Sequence, residues 1–149
     1  MVSENMIEGG TTPMTEDELR AFLTEQGVGV LALAADGVPY VVPMSFGYDG
    51  EATLYFLFLL FGEESRKQTL CDRADRARLL AYSAESMHDW RSVTVTGRIG
   101  EVPEDDWGEL RTAMENAWHP DLFTAANPMR GVEGYRLQVD DWSGIRHGG

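Results

Sequence analysis

Short apolar segments bounded by turn residues recur along the first half of the chain. Val28 to Ala35 and Val38 to Phe46 are two such segments, and Asp36-Gly37 between them favours a tight hairpin turn. Thr53 to Leu60 is a third segment, rich in aromatic and apolar residues, and it follows the turn residues Tyr48 to Gly50. The pattern predicts a meander of three antiparallel strands joined by tight turns.

The second half of the chain carries three further strand patterns. Arg78 to Ser83 is the first, and Trp90 to Val102 is the second, with valine and threonine alternating before Gly97. A glycine inside such a pattern is typical of a β-bulge, so we expect one at Gly97. Tyr135 to Val139 alternates again and is predicted to be the closing strand.

Helical patterns separate some of these strands. Thr15 to Glu18 matches a capping box, and the apolar residues after it lie on one helical face until Gly27 provides a stop. A second helix is predicted after Pro103, with an acidic first turn that suits the helix dipole. Its apolar face contains Trp107, Leu110, Met114 and Ala117. Glu63 to Asp75 also has helical propensity.

Strands and helices do not alternate along the chain as they do in parallel α/β folds. We therefore predict a mainly β fold with some α, a small antiparallel barrel of about six strands flanked by short helices. Residues 1–14 show no periodicity and are predicted to be a flexible lead-in. A length of 149 residues is typical of one domain, which we predict to comprise residues 15–149.

The charge balance excludes several classes of partner. Asp and Glu number 25 against 12 Lys and Arg, which gives a net charge of -13. Nucleic acids and anionic membranes bind basic protein surfaces, so we predict neither as a partner. Lys67 is the single lysine, and an acidic, lysine-poor surface is typical of halophilic proteins such as those of haloarchaea. An acidic mesophilic protein is the alternative.

The sequence shows no pattern for export or membrane insertion. Its longest apolar run, Leu54 to Phe61, has eight residues, whereas a membrane-spanning helix needs about 20. The first residues include Glu4 and Glu8 and lack a basic region followed by an apolar stretch. Cys71 is the only cysteine, which excludes an internal disulfide. We therefore expect a cytoplasmic protein.

Residues that carry reactive chemistry are few. His88, His119 and His147 lack the spacing of a helical metal motif, and Cys71 has no histidine near it in sequence. We therefore predict no metal site and no cysteine nucleophile. Ser65-Arg66-Lys67 places a hydroxyl, a guanidinium and an ammonium at the start of a predicted helix, a combination that suits a phosphate. The alternative is that these cations pair with neighbouring carboxylates on a solvated helix.

With these motifs in this order, the sequence resembles the pyridoxamine 5'-phosphate oxidase-like superfamily of FMN-binding split barrels. In that superfamily a Ser-Arg-Lys holds the flavin phosphate shortly after the third barrel strand, as Ser65 to Lys67 follows Thr53 to Leu60 here. A later strand carries Arg-x-Val-x-x-x-Gly, which Arg91 to Gly97 matches. Val41 to Gly47 is similar to the VPMSFGY segment of the smaller members, and Gly134 to Val139 resembles their last strand.

The resemblance covers nearly the whole domain and implies an antiparallel split β-barrel that forms a homodimer, with a flavin in each cleft between the two barrels. It implies that Ser65, Arg66 and Lys67 hold the phosphate of FMN. It implies that Arg91 and Ser92 reach the flavin from the other subunit. Four residues are implied to border the flavin ring, partly through their backbone: Pro43, Met44, Ser45 and Phe46.

Three departures separate the chain from the vitamin B6 oxidases of the superfamily. Tyr40 to Phe46 contains no basic residue, Ser92 stands where those enzymes have glutamine, and no Trp-Arg substrate segment follows Trp142. We therefore expect an FMN-dependent oxidoreductase of the short, nitroimidazole-resistance (Nim-like) branch, and no oxidation of vitamin B6. The flavin would perform the hydride chemistry, so no catalytic residue is predicted. The alternatives are the same barrel binding deazaflavin or haem, a non-catalytic flavin sensor, and a protein-interaction module.

Overall fold

Eight strands in the described part of the chain join into one antiparallel sheet. The structure is a computed structural model and describes residues 10–34, 37–59, 75–116 and 132–148. The strands are β1 (Thr11–Pro13), β2 (Val28–Leu33), β3 (Tyr40–Ser45), β4 (Gly47–Tyr48), β5 (Thr53–Leu59), β6 (Arg76–Ser86), β7 (Asp89–Glu101) and β8 (Val132–His147). The helices within the same residues are α1 (Glu16–Gln26) and α2 (Trp107–Ala113), the second flanked by 3-10 turns at Glu104–Asp106 and Met114–Asn116.

The order of neighbouring strands is β3-β2-β6-β7-β8-β5-β4, and β1 pairs with the end of β8. β8 is 16 residues long, and it pairs with β7 along one edge and with β5 and then β1 along the other. The six predicted strand segments correspond to β2, β3, β5, β6, β7 and β8. The predicted antiparallel, mainly β fold with short flanking helices is therefore confirmed.

β1 lies inside the segment that the sequence pattern predicts to be a lead-in. Thr11 is a register partner of His147, and the Met14 N–H donates to the Gly144 carbonyl at 2.8 Å. The Thr11 and Met14 side chains are both buried. Backbone hydrogen bonds hold this three-residue strand, and they leave no side-chain periodicity by which a pattern could reveal it.

Both predicted helices that fall on described residues are present. The Thr15 hydroxyl accepts from the Glu18 N–H at 3.2 Å, and the Glu18 carboxylate accepts from the Thr15 N–H at 3.0 Å, which forms the predicted capping box. Gly27 then ends α1 in the left-handed conformation, with φ of 70°. α2 confirms the second predicted helix, whereas the third, Glu63 to Asp75, lies almost entirely outside the described residues. Neither described helix has the length and hydropathy needed to cross a membrane.

The sheet curls around one main hydrophobic core. Side chains from one face of the sheet fill it, and α1 packs onto that face through Leu19, Phe22 and Leu23. Gly144 in β8 provides the space for α1, because a Cβ there would lie 2.7 Å from Leu19 and 2.8 Å from the sulfur of Met14. The inner face of the sheet is thus sealed by a helix from the chain itself.

α2 packs on the opposite, outer face of the sheet and forms a second apolar cluster. That cluster consists of Tyr55, Leu57, Val102, Trp107, Leu110, Ala113 and Met114. Gly134 in β8 allows the close approach, since a Cβ on it would collide with Leu110. α2 therefore covers the outer face of β5 and the adjoining part of β8. Within the described residues, no helix lies over the outer face of β2, β3 and β6.

The predicted irregularity at Gly97 is a bulge between β7 and β8. Thr96 faces Asp141 and Gly97 faces Val139, so Asp140 is the extra residue and it belongs to β8. At the same point the two backbones approach so closely that a Cβ on Gly97 would collide with the Gln138 carbonyl. The bulge bends β8, the longest strand, between the residues that pair with β5 and the residues that pair with β1.

We expect Gly97→Ala to destabilise the fold by about 1 to 3 kcal/mol, because the added methyl group meets backbone that cannot move without breaking the β7–β8 pairing. Gly100→Ala is the matched control, since a Cβ there meets no atom within 4 Å, and it should change stability by less than about 1 kcal/mol. Urea unfolding followed by circular dichroism measures both variants. Equal stability of the two would contradict the close approach at Gly97.

Candidate functional site

The uncovered part of the sheet presents an unusual number of apolar side chains to solvent. Val41 is 59% exposed and Tyr82 is 56% exposed, and Val28 and Leu80 are each 37% exposed. We call this surface the exposed sheet face. It consists of the outward side chains of four strands, namely Val28, Val30, Ala32, Val41, Pro43, Ser45, Arg76, Arg78, Leu80, Tyr82, Ser92, Thr94, Thr96 and Arg98.

The strand register orders these side chains in rows. One row runs across the four strands from Pro43 through Val30 and Leu80 to Thr94. The next row runs from Val41 through Ala32 and Arg78 to Thr96. Each row is apolar on β3 and β2 and ends in a threonine hydroxyl on β7. The face therefore suits a flat ligand with an apolar ring system and hydrogen-bonding groups along one edge.

Three of the predicted site residues lie on the exposed sheet face. Pro43 and Ser45 point outward from β3, and Ser92 points outward from β7 directly opposite Tyr82. β3 and β7 are three strand spacings apart, which is about 14 Å. These residues thus mark two borders of one surface without touching each other. The three predicted phosphate-binding residues, Ser65, Arg66 and Lys67, lie outside the described residues.

The other described site residues point elsewhere. Met44 is 6% exposed and Phe46 is 1% exposed, because both side chains belong to the main core. Only their backbone can border a ligand on the exposed sheet face. Arg91 alternates with Ser92, so it lies on the inner side of β7, in a cleft of about 490 Å³ beside Phe22 and Glu25 of α1. Within one subunit the structure does not bring Arg91 and Ser92 to the same surface.

The largest described cavity, about 810 Å³, lies beside β8 at the gap between β1 and β5. Four acidic residues line it: Glu16, Glu51, Asp140 and Asp141. Arg20 also lines it, but its guanidinium lies 5.4 Å from the ring of Trp142 and within 3.8 Å of Glu16. The acidic excess disfavours an anionic ligand in this cavity. Ser92 and Thr94 of the exposed sheet face also line this cavity, so the cavity adjoins that face at its β7 border. A phosphate group therefore suits the part of the exposed sheet face that lies away from these carboxylates.

Two tyrosines provide buried phenol groups away from the exposed sheet face. The Tyr48 hydroxyl donates to the Glu51 carbonyl at 2.8 Å, and burial raises the pKa of Tyr48, although Arg20 opposes the shift. Burial also raises the pKa of Tyr55, and the charge of Glu109 adds to the increase. Both phenols consequently stay protonated at neutral pH. Neither phenol lies on the exposed sheet face, so the structure assigns no acid or base role to them there.

The histidines in the described residues form no metal site. His88 and His147 lie at the β6–β7 turn and the end of β8, with ring centroids 5.9 Å apart, and His147 stacks on Trp90. The described residues contain no group of three side chains that could hold a metal ion. His119 and Cys71 lie outside the described residues.

Sequence reasoning did not identify the apolar and basic residues of β6 that belong to the exposed sheet face. Arg76, Arg78, Leu80 and Tyr82 alternate with buried residues along this strand. The period of two was visible in the sequence, but the outward face includes leucine and tyrosine where a solvated face would carry polar residues. Apolar residues at both the inward and the outward positions of β6 were the sequence signal that could have revealed this surface.

The sequence matches the family model described as pyridoxamine 5'-phosphate oxidase over residues 15–146. The chain belongs to this family, which confirms the predicted resemblance. None of the curated proteins matches the sequence significantly.

Solved structures with similar folds confirm the split barrel. A FAD-binding protein from Mesorhizobium loti is 26% identical, with 91% of this chain and 97% of that chain covered, and the TM-score is 0.71. A protein from Bacteroides thetaiotaomicron that is named for 5-nitroimidazole antibiotic resistance is 18% identical, with coverage of 92% and 89% and a TM-score of 0.70. A FAD-binding protein from Mycobacterium smegmatis is 17% identical, with coverage of 91% and 98% and a TM-score of 0.70.

Proposed function

We propose that the chain is a flavoprotein oxidoreductase that binds FMN on the exposed sheet face and acts as a homodimer. The exposed sheet face is the observation that carries this proposal, because it joins an apolar surface to hydroxyl groups and includes three residues of the family's flavin motifs. Membership of the pyridoxamine 5'-phosphate oxidase family and the 26% identity to a FAD-binding protein support a flavin as the ligand.

The residues of the exposed sheet face fit the chemistry of a flavin ring. Val30 and Leu80 provide an apolar floor for the ring faces, and Ser45 and Ser92 provide hydroxyl groups at the two borders. Ring systems with polar edges bind where apolar contact is combined with a few placed hydrogen bonds. When bound, the flavin supplies hydride or electron transfer, and the protein orients it and excludes water.

Ser65, Arg66 and Lys67 are proposed to hold the phosphate of FMN, as the family resemblance implies. A chain with a net charge of -13 repels a phosphate at long range, so binding must depend on short-range, charge-assisted hydrogen bonds. Ser-Arg-Lys supplies donors of this kind. The proposal therefore assigns the ring to the exposed sheet face and the phosphate to these three residues.

A second subunit is proposed to cover the flavin. Val41, Leu80 and Tyr82 of the exposed sheet face are open to solvent, and an exposed apolar surface of this kind is typical of a protein interface. Arg91 points away from the exposed sheet face of its own subunit, which is consistent with a role toward the flavin of the partner. A cytoplasmic location and a halophilic setting stay predictions from composition.

The flavin and its phosphate site are tested first by the visible spectrum of the protein purified in high salt, with and without added FMN. We expect a flavin spectrum that is lost in the Arg66→Ala, Lys67→Ala variant. The matched control is Arg20→Ala with Arg111→Ala, which also removes two positive charges and should keep the spectrum.

Other results of the same experiment would identify one of the alternative functions. A folded protein that binds neither FMN nor FAD contradicts the proposal, and a Soret band or a bound deazaflavin would identify haem or deazaflavin in its place. A bound flavin that no nicotinamide donor reduces would indicate a sensor.

The dimer is tested by charge on the exposed sheet face. We expect Val41→Arg with Leu80→Arg to convert a dimer to a monomer and to weaken FMN binding, because two buried charges would have no partner at the interface. Met87→Arg is the control, since Met87 is 79% exposed at the β6–β7 turn and outside this face. Sedimentation velocity measures the mass. A wild-type monomer that binds FMN normally would refute the shared site.

A further inference from the structure

Three arginines cluster at one end of the exposed sheet face. Arg76 and Arg78 point outward from β6, and Arg98 points outward from β7. Arg76 and Arg98 are direct register partners, and Arg78 is directly opposite Thr96. We call these three residues the arginine cluster. It is a local concentration of positive charge on a chain that has 25 acidic and 12 basic residues.

Like charges placed directly opposite on neighbouring strands destabilise a sheet. Asp140, the bulge residue, compensates for one of them, because its carboxylate lies 2.6 Å from the Arg76 guanidinium. Asp141, opposite Thr96, bounds the cluster on the β8 side. The described residues provide no ion pair for Arg78 or Arg98, and both side chains are exposed. Two exposed arginines, at diagonal positions on neighbouring strands, thus have no carboxylate partner among the described residues.

Arg78 is held in a defined orientation. Its Nε donates to the Thr96 hydroxyl at 3.1 Å, which leaves the two terminal nitrogens of the guanidinium for another acceptor. A guanidinium presents these nitrogens as a planar fork that matches two phosphate oxygens. The structure therefore offers one positioned fork on β6, with Arg98 at the diagonal position of β7. Arg76, two residues away on β6, is paired with Asp140.

The arginine cluster adjoins the surface proposed for the flavin. Arg78 is in the row next to the one from Pro43 to Thr94, a separation of two residues along a strand, or about 7 Å. An anionic group bound by these arginines would therefore lie beside a molecule on the exposed sheet face.

We propose that the arginine cluster is a diphosphate-binding subsite. Its connection to flavin chemistry rests on the proposed function, whereas its affinity for a diphosphate does not. A diphosphate can come from the adenylate half of FAD or from a separate dinucleotide that exchanges electrons with the flavin. Both have the same anionic chemistry, and the experiment below distinguishes them.

The probe is inorganic pyrophosphate, titrated calorimetrically into the folded protein. We expect the Arg78→Gln, Arg98→Gln variant to bind it at least about tenfold more weakly, since each lost charge-assisted hydrogen bond has an effect of that order. Arg20→Gln with Arg111→Gln is the matched control for the loss of two charges and should bind pyrophosphate as the wild type does. Equal pyrophosphate affinity of the wild type and the cluster variant, or no binding to the wild type, overturns the proposal.

Flavin titrations then identify the source of the diphosphate. If it belongs to FAD, the wild type binds FAD more tightly than FMN and the cluster variant loses this preference. If it belongs to a second molecule, ADP binds the FMN-loaded wild type and the cluster variant loses ADP while keeping FMN. Either pattern supports the subsite. Pyrophosphate binding that depends on the cluster in a protein that binds no flavin would refute the proposed function and leave the subsite standing.

Discussion

The pairing of β8 with β7 is the constraint on which the rest of the structure depends. These two strands pair from Trp90 and His147 at one end to Glu101 and Tyr135 at the other, interrupted only by the bulge at Asp140. The opposite edge of β8 pairs with β5 and with β1, so one strand joins both ends of the chain to the sheet. Gly97 permits the close approach of the two backbones at the bulge, so this pairing depends on a residue without a side chain.

The two helices decide which surfaces of the sheet are covered in the described structure. α1 seals the inner face and α2 covers the outer face of β5, so the apolar outward residues of β2, β3 and β6 have no helix over them in the described structure. An apolar face that no described helix covers is an energetic cost unless other residues, a ligand or a second subunit cover it. The proposed flavin and the proposed dimer both follow from this arrangement, and the arginine cluster adds a charged border to the same surface.

Sequence patterns predicted six of the eight described strands and both described helices, because each of these leaves a local signature. The capping box at Thr15, the alternation around Val93 and the helix face that begins at Trp107 are all readable without tertiary contacts. β1 was not predictable, since three residues held mainly by backbone pairing are too few to show a side-chain period. The site was predicted only in part: a motif identifies Ser92 and Arg91 as neighbours, but strand alternation sends them to opposite faces. The arginine cluster depends on register between two strands, which composition does not reveal.

The central claim is that a flavin ring lies on the exposed sheet face. Intermolecular nuclear Overhauser effects between the two methyl groups of the FMN ring and the methyl groups of the protein test this contact directly. The account predicts contacts with outward residues, above all Val30, Val41 and Leu80. Contacts with Leu57 and Leu110 beneath α2, or with Leu19 beside the acidic cavity, would contradict it.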